Sequence, residues 1–133
     1  MPTDGIDLRH AATPVAFLYA SDRDRALDFY QRTLGLELHS SDPFGDFLVA
    51  NGMLIRMTTM PDHKPGPHPA FGWDVADIEA VVTALRERGV AFLVYEGMGQ
   101  DALGIWTAPD GAARIAWFND SEDNLLSLSQ TGG

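Results

Sequence analysis

The chain has 133 residues, enough for one domain with a sizeable core, and its 19 acidic against 9 basic side chains give a net charge of −10. That balance argues against nucleic-acid binding, which needs clustered Lys and Arg, and favours cationic or neutral partners. There is no cysteine for disulfide or thiol chemistry, no apolar run near the ~20 residues that span a bilayer, and an acidic start, M-P-T-D-G-I-D, where a secretory leader would be basic, so a cytoplasmic protein with no membrane partner is expected.

In chain order, V-A-F-L-Y-A-S-D, starting at Val15, reads as a strand running into a helix. Ser21 or Asp22 would cap that helix, Ala26, Leu27, Phe29, Tyr30 and Leu34 would form its apolar stripe, and Gly35 would end it. Three strands are predicted next, at 36–41, 46–51 and 53–59, the last two joined by the tight turn Asn51-Gly52. The Pro-rich stretch 61–69 has linker composition. A-F-G-W-D-V-A-D then repeats the passage from strand to helix; Ile78, Val81, Val82 and Leu85 share one helical face, Asp77 is the cap and Gly89 the stop. Strands are predicted near 91–96, 112–118 and 125–129, with an extra segment at 97–111 that holds a short strand near 103–107.

The two strand–helix units form an internal repeat. Asp22 and Asp77 are 55 positions apart, Gly35 and Gly89 54 apart. A fixed period of this kind marks duplicated supersecondary units. The expected architecture is α+β, one domain of two βαβββ modules, at about 13–60 and 70–130, with residues 61–69 between them. A site is expected at the seam.

The run A-S-D-R-D-R-A-L-D-F-Y-Q-R-T-L-G-L-E-L, and the second module through A-W-F-N-D-S-E-D-N-L-L-S-L-S-Q, resemble the vicinal oxygen chelate superfamily of glyoxalase I, bleomycin-resistance proteins and extradiol dioxygenases. The resemblance covers about residues 13 to 130; D-S-E-D-N departs from the family's usual D-P-D-G-N turn. It implies two modules curved into a cupped mixed sheet around a small-molecule site, dimers in which modules of two chains can pair, and a divalent cation held by first- and fourth-strand side chains. Carried onto this chain, those ligand positions are Val15, Arg56, Ala70 and Ser127. Two have no donor atom, one is a permanent cation and one is a weak hydroxyl, so no metal or other cofactor is expected in the cup. A displaced metal site at His63 and His68 is the alternative; His10 and His39 are isolated.

Side chains alternate faces along a strand, so residues in step with the four ligand positions should line the cup. That makes Phe17, Tyr19, Leu54, Arg56, Asp74 and Ser127 candidate ligand-binding residues. Trp106 is a candidate for the rim, as is Trp117 or Phe118, one of which must face inward; Trp73 falls on the helix-packed side. Arg56 and Asp74 can be read either as a structural ion pair or as ligand contacts. The leading expectation is a metal-independent binding protein, a homodimer, that sequesters a hydrophobic or aromatic small molecule, with the acidic charge suited to a cationic one. The alternative is a metal-free isomerase or lyase acting on a carbonyl compound, with Tyr19 or Asp74 as acid or base and Arg56 stabilising an enolate or carboxylate. A third is a structural or regulatory module.

Overall fold

The computed structural model describes residues 7–131; the acidic start of the chain, 1–6, lies outside the described residues. The first module runs β1 (Val15–Ala20), α1 (Arg23–Asp28), a π-helical turn (Phe29–Thr33), β2 (Glu37–Asp42), β3 (Gly45–Ala50) and β4 (Met53–Thr59). The second runs β5 (Phe71–Asp74), α2 (Ile78–Glu87), β6 (Trp106–Thr107), β7 (Ala113–Asn119) and β8 (Leu125–Thr131). The sheets have orders β1-β4-β3-β2 and β5-β8-β7-β6, and in each the first strand is parallel to the last while the other pairings are antiparallel. The duplication read from the 55-residue period is therefore an identity of topology. Val15 and Ala70 are equivalent: Val15 starts β1 opposite Leu54, and the Ala70 amide leads into β5 by donating to Leu125 O at 2.8 Å.

Local chemistry sets the element ends as expected. Asp22 accepts from the Arg25 amide and Asp77 from the Ala80 amide, each at 3.1 Å, so both helices start on an aspartate cap. Gly35 and Gly89, at φ +78° and +93°, take the left-handed turn that ends each helical run. Asn51 and Gly52 both have positive φ, the requirement of a two-residue hairpin that follows the twist of its strands.

Two expectations are corrected. The first helix does not stay α-helical to Leu34; it widens after Asp28 into a π turn, closed by Leu34 N–H to Phe29 O at 3.0 Å, which carries the fully buried Tyr30. Residues 91–96 are not a strand. Only Phe92 bridges to Phe118, and the edge of β7 is next occupied by β6, opposite Ile115 and Arg114. Between these contacts the backbone is satisfied by a side chain instead of a ladder: Gln100 Nε2 donates to Leu93 O (2.9 Å) and Gly104 O (2.7 Å), and its Oε1 accepts from the Tyr95 amide (2.7 Å).

Alternation divides each sheet into two faces. Leu18, Ala20, Leu48, Ile55 and Met57 from the first sheet, and Ala116, Phe118, Leu126 and Leu128 from the second, join Ala26, Tyr30, Ile78, Val82 and Leu85 in one core that spans both modules. The opposite faces carry Val15, Phe17 and Tyr19 on β1 and Ser127 and Ser129 on β8.

Candidate functional site: the exposed sheet faces

Register decides which side chains stand together. On the first sheet Phe17, Arg56 and Phe47 form one row across β1, β4 and β3. The Arg56 guanidinium lies 4.8 Å from the Phe47 ring centroid and meets Asp42 at 2.9 Å. Its Nη2 makes the aligned hydrogen bond, whereas Nη1, equally close, is poorly aligned and has no hydrogen-bond partner. The Arg56 hydrogen bond, aided by the Phe44 amide, holds the Asp42 carboxyl below its ordinary value. On the second sheet Gly72, Ser127 and Trp117 form a row across β5, β8 and β7, and Asp74, Ser129, Ile115 and Trp106 form the next. An added Cβ on Gly72 would collide with the Ser127 hydroxyl and come within 2.9 Å of its carbonyl oxygen, so glycine is required beside this serine.

The residues expected to line a cup thus fall into two sets on two sheets. Phe17, Tyr19, Leu54 and Arg56 share one exposed face; Asp74, Trp106, Trp117 and Ser127 share the other. The choice between Trp117 and Phe118 is resolved, because Trp117 opposes Ser127 on the exposed face while Phe118 is fully buried in the core. The Arg56–Asp74 pair does not form: Arg56 takes Asp42, and Asp74 Oδ1 accepts from Ser129 Oγ (3.0 Å) and Thr131 Oγ1 (3.2 Å). Tyr19 is half-buried with its ring 5.4 Å from that of His63. Phe17 is 61% exposed, too open for the wall of a closed cavity within one chain.

Sequence reasoning missed Phe47, Asp42 and Tyr95. Phe47 was legible, since the two-residue turn at Asn51-Gly52 fixes Phe47 opposite Arg56. Tyr95 was not: its ring meets Trp117 edge-on at 5.6 Å only because the loop around Gln100 folds it there.

At the seam, the turn after β7 reaches from the second module into the first. Glu122, its side chain fully buried, accepts from Arg25 Nε (2.8 Å), the Asp22 amide (2.8 Å) and Ser21 Oγ (3.1 Å). Burial alone would raise its pKa, but these donors, with Ser121, hold it down at about 2. Asp120 accepts from Tyr30 Oη at 2.6 Å, and burial outweighs its hydrogen bonds and pushes its pKa up. Asn124 donates to Tyr19 O at 2.9 Å and meets His63 Nε2 at 2.8 Å.

A family model described as the glyoxalase/bleomycin resistance protein/dioxygenase superfamily matches residues 8–128. The chain belongs to this superfamily. Similar solved structures include a superfamily protein from Alicyclobacillus acidocaldarius (21% identity, 91% of this chain and 92% of that one, TM-score 0.71) and the fosfomycin resistance protein FosX of Listeria monocytogenes (14%, 91% and 93%, TM-score 0.71). A third is a superfamily protein from Nocardioides (16% identity, 92% and 85%, TM-score 0.68). At these identities the likeness is one of fold. Among curated proteins there is no match.

The metal that the superfamily implies does not fit the residues present. Val15 and Ala70 offer hydrocarbon, Arg56 a cation already held by Asp42, and Ser127 a lone hydroxyl; a divalent ion needs several N, O or S donors at about 2 Å. The displaced alternative fares no better, because His63 is bonded to Asn124 and packed on Tyr19 while His68 is exposed. Among the described residues no three His, Asp or Glu side chains converge. No helix among them is long and apolar enough to cross a membrane.

Proposed function

We propose that this superfamily member is a metal-independent small-molecule-binding protein that holds a flat, hydrophobic, cationic ligand on its exposed sheet faces. The observation that carries the reading is the exchange on those faces. Positions that hold a metal in relatives carry Val15, Arg56, Ala70 and Ser127, while Phe17 on the first sheet and Trp106 and Trp117 on the second present aromatic surface on the face that carries those positions in each sheet. Aromatic rings take up planar ligands and cations, and a net charge of −10 draws cations in. Because Phe17 and Val15 remain open to solvent, a second copy of the chain completes the cup, and the working form is a homodimer.

Native mass spectrometry of protein taken from its own host tests this directly. A dimer that retains an organic ligand and no stoichiometric metal is the expected result. A stoichiometric metal lost on changing Arg56 or Ser127 would overturn it. Conversion of the retained ligand, abolished by Tyr19→Phe or Asp74→Asn with binding intact, would replace it with the metal-free lyase or isomerase.

A further inference from the structure

A second concavity lies behind the sheets, on the helix side. Its walls are Leu34 and Leu36 from the segment closing the first module's helix, Val81 and Leu85 from α2, and Trp73 and Phe118 from the second sheet; its volume is about 200 Å³. Both modules contribute. Leu34 and Leu36 are fixed by backbone bonds to Phe29 O (3.0 Å) and Tyr30 O (2.9 Å), and Arg88 Nη1 donates to Thr33 O (3.0 Å), tying the end of α2 to the same segment.

Leu85 stands 55 positions after Tyr30, the spacing of the two helix caps, and is the smaller side chain of the two. The polar groups on the wall are few. Asp74 borders it where β5 ends, but its Oδ1 is drawn to the exposed face by Ser129 and Thr131, and the Trp73 indole contributes a single donor. Concave sites walled mainly by apolar side chains, with few polar groups, are the ordinary form of small-molecule sites. We propose that this half-open concavity is a second ligand site, separate from the exposed faces, for a small uncharged ring compound of roughly benzene to indole size.

Toluene is a suitable probe, with benzylammonium as its charged counterpart, titrated into the full chain and followed by methyl NMR and thermal unfolding. Saturable shifts of the Leu34, Val81 and Leu85 methyls are expected, with the Trp117 indole signal unmoved and a melting temperature raised by about 5 °C at ten times the Kd. Benzylammonium should leave those methyls unmoved. Leu85→Phe and Val81→Phe, each checked for folding by circular dichroism, should abolish the toluene response by filling the space. Absence of methyl shifts up to the solubility limit of toluene overturns the proposal, whatever the variants do. So does a response that survives a folded filling variant, or one that Trp117→Ala removes, which would place the probe on the exposed face.

Discussion

Glu122 and Asp120, two residues apart in one turn, are shifted in opposite directions, so acid acts on them with opposite sign. The Glu122 pKa is depressed from 4.5 to about 2, so its contribution, about 3 kcal/mol, is present above the unfolded value near 4.5 and lost as pH falls toward 2. Asp120 has a raised pKa; what it adds is present when protonated and lost as pH rises through that value. Glu122→Gln should therefore flatten the fall in stability between about pH 4.5 and 2, measured by urea unfolding across pH, and Asp120→Asn should leave that fall in place. Asp123, in the same turn, holds φ +64°, where the family's usual turn has glycine. Asp123→Gly should raise stability by about 0.5–1 kcal/mol in the same assay. On the exposed faces, Trp117→Ala should weaken binding of a planar ligand by about 1–3 kcal/mol by calorimetry. Arg56→Ala should cost little stability in urea unfolding, because Asp42, 42% exposed, regains water once released; a large loss of affinity in that variant would report direct contact with the ligand.

Among the elements, those that carry their own period were readable: α2 from its apolar face and aspartate cap, and β3–β4 from the Asn51-Gly52 turn. The segment 91–96 has strand-like composition yet forms a single bridge, because Gln100, several residues on, supplies the hydrogen bonds that a ladder would have supplied. Periodicity registers what a residue is, and this outcome depended on what another side chain reaches. The Arg56–Asp74 reading failed for a related reason: both residues face outward as parity predicts, but parity does not say which acid on which sheet arrives first. Gln100→Ala should free the amides of 93–104 to exchange faster by mass spectrometry while β7 and β8 keep their protection, and should weaken ligand binding through Tyr95, whose ring would lose its place beside Trp117.

For the molecule as a whole, size-exclusion chromatography with light scattering should give twice the monomer mass, and Phe17→Glu should return it to monomer by placing a charge on the open face of β1. Within one chain the sheets remain separate, each with its own four strands, and the side chains of the turn after β7 grip the start of α1. The corresponding turn of the first module is only Asn51-Gly52 and offers no carboxylate in return. The grip is one-sided, but one core spans both modules, so the covalent bond through the mostly exposed stretch 61–69 is not what keeps the halves together. Severed within that stretch and produced as two polypeptides, the protein should reassemble as a complementing pair, with Glu122 serving as the latch that one half brings to the other.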